Sequence, residues 1–263
     1  MAKMAVCVGI NDYPGSSNDL KGCINDAKAW AELLESHYGF EKSSITMLTN
    51  AKATKANILE AVGKMVEGAV SGDTIVFTNS SHGTYLEDTS GDEEAYDEAM
   101  CPYDCSETLI LDDELREMFS RVKRGVHLTV ISDSCHSGSV TRLIESKEYR
   151  KPRFLSPDSI GRATIENIYK AKSNRKSKHP QSGMKDVLIS GCTSDEYSYD
   201  ASIGGKYHGA MTYYAIEAII ESGYSLTYSQ LHKLLKEKIN EAGYPQTPQL
   251  EGKKANKGRK VFE

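Results

Sequence analysis

The sequence predicts an α/β fold: a sheet of about six mostly parallel strands with helices on both faces. Short apolar runs alternate along the chain with longer stretches of helical periodicity, the rhythm of strand and crossover helix. Those runs read as strands buried on both sides, as in a covered parallel sheet. A hydrophobic content of 39% with seven prolines in 263 residues fits a packed globule.

The elements follow in order. Ala5–Ile10 is an apolar strand, with Cys7 inside it as a core residue. Asp26–Tyr38 places Ala27, Trp30, Ala31, Leu33, Leu34 and Tyr38 on a helical period. Ile45–Leu48 is a strand, and Thr54–Val70 a helix with Ile58, Ala61, Val62 and Met65 in its stripe. Asp73–Thr78 is a strand. Asp112–Val122 is a helix with acids in its first turn and Arg121 near its end, which suits the helix dipole. Leu128–Ser132 and Val187–Ser190 are strands; Gly209–Glu221 and Tyr228–Ala242 are helices. Two segments break the rhythm. Tyr85–Glu98 is acidic, and Arg142–Lys185 holds twelve Lys or Arg against four acids. Both read most simply as solvated loops.

Bulk properties narrow the function. A net charge of −5 and a pI near 5.9 give no global pointer to nucleic acid. No apolar run approaches the roughly 20 residues that cross a bilayer, and Met1–Ile10 reads as the first strand, not as a leader. Six cysteines without a secreted spacing pattern point to reduced thiols and a cytoplasmic location. Cys101 and Cys105 have no second Cys/His pair nearby to complete a zinc site.

The chemistry concentrates at two strand tips. Ser132-Asp133-Ser134-Cys135-His136-Ser137-Gly138 closes one apolar run, and Ser80-Ser81-His82-Gly83 follows another, with His82 fifty-three residues before Cys135. In a parallel sheet such ends share one edge, where ligands usually bind. A free thiol is only a few per cent thiolate at neutral pH; an imidazole beside it stabilises the anion and then gives its proton to a leaving amine. The N–H groups of Gly83 and Cys135 are the natural donors to a developing oxyanion. Taken singly, a Cys after a strand is more often a small buried hydrophobe, and a His there merely hydrogen-bonded. Their paired placement argues for catalysis. A cysteine phosphatase needs an Arg six positions after the nucleophile; Arg142 is one position too late.

These motifs resemble the caspase clan, most closely the metacaspases. Beside the His and Cys motifs, Leu20–Ala27 resembles the family's Gly-Cys-x-Asn-Asp segment, and Tyr96–Asp104 with Ile110–Leu115 its acidic middle. Ser190–Asp195 and Gly209–Thr212 resemble the small-subunit region, and Pro245–Leu250 its closing strand. The resemblance spans essentially the whole chain. It implies a caspase-like peptidase domain over 1–263, with 1–142 as large-subunit part, 143–185 as basic linker and 186–263 as small-subunit part. It implies a cysteine endopeptidase cutting after Arg or Lys, with His82 and Cys135 as a dyad and no third member evident. Asp133, two residues before Cys135, faces the same side on an extended strand and can pair with a basic side chain. The family pattern adds Asp26 and Ser80; Asp26 is equally suited to cap the first helix.

The resemblance also implies a possible calcium site at Asp97, Asp112 and Asp113, since three carboxylates with carbonyls and water can complete the coordination. Calcium-dependent relatives carry an acid seven residues after the nucleophile; here that residue is Arg142, a cation that repels calcium or replaces it. The expected partners are proteins or peptides with basic residues, with neither nucleic acid nor membrane; the chain is constitutively competent, switched by an ion, or controlled by a separate regulatory protein. The basic segment 143–185 is a target for self-cleavage or a cover for the acidic pocket. The alternative is a caspase-like binding module without proteolysis.

Overall fold

The computed structural model describes residues 1–87, 96–135, 150–172 and 185–263. In chain order the strands and helices are β1 (Lys3–Gly9), α1 (Cys23–Tyr38), β2 (Ile45–Thr49), α2 (Lys55–Gly68), β3 (Thr74–Ser80), β4 (Gly83–Glu87), β5 (Tyr96–Met100), β6 (Ile110–Leu111), α3 (Asp112–Ser120) and β7 (His127–Asp133). Then come β8 (Arg150–Pro152), α4 (Pro157–Ile160), α5 (Arg162–Lys172), β9 (Val187–Ser190), β10 (Tyr199–Ile203), β11 (Lys206–Gly209), α6 (Ala210–Glu221), α7 (Tyr228–Glu241), β12 (Gln249–Gly252) and α8 (Lys254–Lys257).

The central sheet has six strands in the order β12-β9-β7-β3-β1-β2, as the sequence predicts. Its pairings are parallel except β12 against β9. Successive side chains on a strand point to opposite faces, so each inner strand feeds two cores. Val6, Val8, Ile75 and Phe77 pack with Ile58 and Val62 of α2 and Phe119 of α3. Ala5, Cys7, Val76 and Ile131 pack on the other face with Trp30 and Leu34 of α1, Ile219 of α6 and Leu235 of α7. Burial pushes the Cys7 thiol up to about 11, in keeping with a core role.

Helix ends follow local chemistry. Thr54 caps α2 by accepting from the Asn57 N–H, and Thr227 caps α7 with Gln230 bonding back. Among the described residues no helix is long and apolar enough to cross a membrane. All six cysteines are buried and unpaired by disulfides.

Three expectations need correction. The first helix begins at Cys23, not Asp26, and Gly22 stands at its cap position. Asp26 is therefore one turn inside α1 and does not cap it. The acidic segment is not a plain loop: Gly83–Glu87 and Tyr96–Met100 pair as antiparallel strands, and Asp97 is buried; residues 88–95 lie outside the described ones. The basic segment is not a solvated loop where it is described. Residues 150–172 form β8, α4 and α5, and Arg153 and Leu155 are buried. β8 joins β10 and β11 in a small antiparallel sheet over the C-terminal edge of the main one.

Candidate active site

Register places the two candidate catalytic residues side by side. β3 and β7 are adjacent and parallel, with Ser80 opposite Asp133. His82 and Cys135 each lie two residues beyond that pair, so both emerge at the same level of the same sheet edge. Both are fully buried.

The His82 ring is oriented by the backbone. Its Nε2 lies 2.6 Å from the carbonyl oxygen of Asn18. A carbonyl only accepts, so Nε2 carries the proton and the neutral ring presents Nδ1 as a lone pair. Nδ1 is buried without a hydrogen-bond partner, free to take a proton. Tyr13 supports the ring from the side, its hydroxyl accepting from the His82 N–H at 3.0 Å and its ring centroid 5.1 Å away. Burial, aided by the nearby Lys151 and Arg153 cations, lowers the His82 pKa to about 3 against the bond to Asn18.

That depression has a stability consequence. Between pH 6.5 and about 3 the unfolded chain binds a proton at His82 that the folded chain refuses. Stability therefore rises with pH across this window, is fully present above it, and is lost as pH falls through it, by an amount on the order of 5 kcal/mol. His82→Gln keeps a donor to Asn18 and removes the titration. Its melting temperature is expected to fall less than that of the wild type between pH 7 and pH 4. Parallel melting curves against pH would contradict this assignment.

The Cys135 sulfur is held by Ser198, whose N–H donates to it at 2.7 Å; the thiol is 3.1 Å from the Ser198 carbonyl. Cys192 is a neighbour: its thiol is pushed well up, first by a hydrogen bond with Cys135 and then by burial. The two N–H groups expected to hold an oxyanion converge on one atom. Gly83 N–H and Cys135 N–H donate to the carbonyl oxygen of Arg153 at 2.9 and 3.2 Å.

The side chain of that same Arg153 fills an acidic chamber and has no exposure to solvent. Its Nη2 lies 2.6 Å from Asp26 Oδ2 and 3.0 Å from Asp200 Oδ1; its Nη1 donates to the Asp133 carbonyl at 3.1 Å and lies 3.3 Å from Asp133 Oδ2. Burial opposes the guanidinium charge, but the surrounding anionic groups hold its pKa above the usual value. Burial likewise pushes the Asp26 carboxyl up, against the Arg153 guanidinium.

Each carboxylate is also fixed by further polar groups. Asp26 accepts from the Gly209 N–H at 3.0 Å and lies 3.2 Å from His208 Nδ1. Asp133 Oδ2 accepts from the Thr212 N–H and hydroxyl at 2.9 and 2.7 Å, and its Oδ1 from the Ser198 hydroxyl. Asp200 accepts from the N–H groups of Lys21 and Gly22 at 2.8 and 2.9 Å. The lone pairs of the chamber are thus also held by groups other than the cation that fills it.

The structure therefore brings together Asp26, Asp133, Gly83, Cys135 and, at the same edge, His82. Ser80 sits in register beside Asp133, with its carbonyl accepting from the Ile10 N–H, and among the described residues it makes no hydrogen bond to Arg153. His136 and Arg142 lie outside the described residues. The possible calcium trio is not gathered: Asp112 is paired with Arg116 at 2.7 Å, and among the described residues no group of three acidic, His or Cys side chains is placed to hold an ion.

Sequence reading missed Asp200, Arg153, Asn18 and Ser198. Asp200 left one faint signal, a lone acid in the otherwise uncharged run Tyr197–Ile203. Asn18 orients His82, and Ser198 holds the Cys135 sulfur, through backbone groups, which carry no residue-type signal.

A Cys and a His at neighbouring strand tips, with paired amides and a carboxylate chamber, agree with what comparison finds. A family model described as metacaspase, peptidase C14 domain, matches residues 3–144. Metacaspase-3 of Arabidopsis thaliana is 38% identical over 250 residues, covering 91% of this chain and 66% of the relative. The chain spans about two thirds of the length of the curated relatives it matches. Among solved structures, protein GSU0716 from Geobacter sulfurreducens superposes with a TM-score of 0.80 at 27% identity, covering 100% of this chain and 98% of that one. Caspase-1 from Spodoptera frugiperda shares the fold at a TM-score of 0.55 and 12% identity, over 94% of this chain and 85% of that one. With a family model over more than half its length and relatives matched along most of it, the chain belongs to the metacaspase family.

Proposed function

We propose that this chain is a cysteine endopeptidase that cuts peptide bonds after arginine or lysine. The observation that carries the reading is the seat of Arg153: its guanidinium lies among Asp26, Asp133 and Asp200 while its carbonyl lies on the Gly83 and Cys135 amides. A peptide bound the same way presents its basic side chain to the chamber and its scissile carbonyl to the nucleophile.

The steps follow from the groups present. The thiol turns from Ser198 toward His82, and Nδ1 takes its proton. The thiolate attacks the carbonyl carbon, and the oxyanion is stabilised by the two N–H donors. The imidazolium protonates the leaving amine; with the ring again neutral, it activates water to hydrolyse the thioester. Asn18 acts as the orienting third group that the side chains alone do not supply. Three carboxylates facing one cation favour arginine or lysine over neutral residues. The same preference makes the basic segment 143–185 a target for the enzyme itself.

The test is hydrolysis of an arginine-ended fluorogenic peptide by wild type and Cys135→Ala, with and without calcium. Wild type is expected to cleave and Cys135→Ala to lose at least about 10³-fold. Equal rates would sink the peptidase reading and favour a non-proteolytic binding module.

A further inference from the structure

We propose that Arg150–Phe154 is the enzyme's own substrate, already seated in its cleft, and that the Arg153–Phe154 peptide bond is its self-cleavage site. The proposal rests on the peptidase reading above and specifies the bond, the register and the consequence.

Two separate determinants meet on one residue. An arginine buried for stability needs carboxylates, but it has no reason to place its own carbonyl on a pair of converging amides beside a cysteine. Arg153 does both. The charge balance points the same way. Asp26, Asp133 and Asp200 bring three formal negative charges to one guanidinium, an excess that suits a recognition chamber better than a balanced structural pair.

The backbone on either side is bound as an added strand, the way extended peptides dock on a sheet edge. β8 pairs antiparallel with β10, with Pro152 opposite Tyr199, Lys151 opposite Asp200 and Arg150 opposite Ala201. The Arg153 N–H donates to the Ser198 carbonyl at 2.9 Å, and beyond the bond the Leu155 N–H donates to the Gly83 carbonyl at 2.9 Å. The chain is therefore held extended across the nucleophile from both directions.

The flanking side chains are received too. Lys151 Nζ donates to the Asp19 carbonyl at 2.7 Å. The Arg150 guanidinium lies 4.0 Å above the Tyr244 ring centre and donates to the Gly243 carbonyl at 2.8 Å. On the leaving side, Phe154 stacks on Tyr85 at 5.9 Å. The cleft thus accepts arginine before the scissile bond, further basic residues upstream and an aromatic residue just after it.

The step balances without a co-reactant beyond water. The Cys135 proton passes to His82 Nδ1, sulfur bonds to the Arg153 carbonyl carbon, and the bond to the Phe154 nitrogen breaks as that nitrogen takes the proton. Water then cleaves the thioester, leaving an Arg153 carboxylate and a restored thiol. Until the cut segment leaves, Arg153 blocks the chamber against any other peptide.

Four proteins test this: wild type, Cys135→Ala, Arg153→Lys and Arg153→Gln, followed by intact mass, sequencing of new N-termini and progress curves on an arginine-ended peptide. Wild type and Arg153→Lys are expected to yield a fragment starting at Phe154 and to show a lag that ends as the cut appears. Cys135→Ala is expected to stay whole. Arg153→Gln is expected to stay whole at this bond and to cleave the added peptide without a lag. Phe154→Pro, which keeps the ion pairs but replaces the scissile amide, is expected to stay whole and inhibited; it carries the test if Arg153→Gln does not fold. Wild type that cleaves the peptide while intact at Arg153–Phe154, with an Arg153→Gln or Phe154→Pro progress curve identical to its own, overturns the proposal and leaves the peptidase reading standing. No hydrolysis of the added peptide by wild type or by folded Arg153→Gln sinks both.

Discussion

Asp133→Asn is expected to lower kcat/KM on arginine-ended peptides by about 10²- to 10³-fold while the chain stays folded. The magnitude follows from removing one charged partner of a buried ion pair, which costs about 3–5 kcal/mol where the other charge stays buried. The choice of asparagine matters. Asp133 is fully buried and has structural duties besides its charge: it accepts from the Ser198 hydroxyl and from both the N–H and hydroxyl of Thr212. Alanine leaves those donors unpaired at about 1–3 kcal/mol each, so a dead Asp133→Ala enzyme is as well explained by misfolding. Asparagine keeps its carbonyl oxygen toward Thr212 and turns its NH₂ toward Ser198, whose hydroxyl can accept. The charge is lost, and the Ser198 hydroxyl changes from donor to acceptor at this contact. The measurement is kcat/KM beside the melting temperature. An unchanged kcat/KM with a normal melting temperature would refute the role of Asp133 in reading the basic side chain.

The side-by-side placement of the candidate pair was legible in sequence because it is set by sheet register. Two apolar runs ending in Ser80-Ser81-His82 and Asp133-Ser134-Cys135 become neighbours in one sheet, and equal offsets past each end bring His82 and Cys135 level. The two amides were legible for the same reason, since they belong to that turn and that strand tip. The chamber was half legible. Asp133 lies on the nucleophile's strand, and Asp26 was flagged by family pattern while its local chemistry suggested a cap. The cap fails because α1 starts at Cys23, which puts Asp26 inside the helix and aims it at the sheet edge. Asp200 comes from β10, and the Lys21 and Gly22 amides that fix it are far away in sequence. Arg153 was one of twelve basic residues in a segment whose charge suggested solvent. Net charge reports the average behaviour of a stretch; it cannot single out the one cation that pairs with buried acids elsewhere.

The position of Gly209 leads to a second large effect. Gly209→Ala is expected to cut kcat/KM on arginine peptides by about 10²-fold and to spare lysine peptides, so that preference shifts toward lysine. Backbone strain is not the reason. Gly209 has φ −70° and ψ 134°, which alanine adopts freely, and its N–H can keep its bonds to Asp26. The reason is space. A Cβ there would lie 2.7 Å from Arg153 Cζ and nearer still to Nη1 and to Asp133 Oδ2. The methyl presses first on Asp133 Oδ2, so that carboxylate must loosen its two bonds from Thr212 and turn away, and the guanidinium beside it must give way as well. It then loses the Nη1 contacts to Asp133 while Nη2 remains between Asp26 and Asp200. Lysine has no second branch to meet the new methyl, and a single ammonium can rest on the Asp26 and Asp200 side of the chamber. Matched peptides differing only in arginine or lysine before the scissile bond, assayed in an Arg153→Gln background so that the enzyme's own segment does not compete, separate the two costs. An equal loss on both peptides would mean that the methyl disturbs the fold or the nucleophile. An unchanged ratio with unchanged rates would mean that substrates do not sit where Arg153 sits.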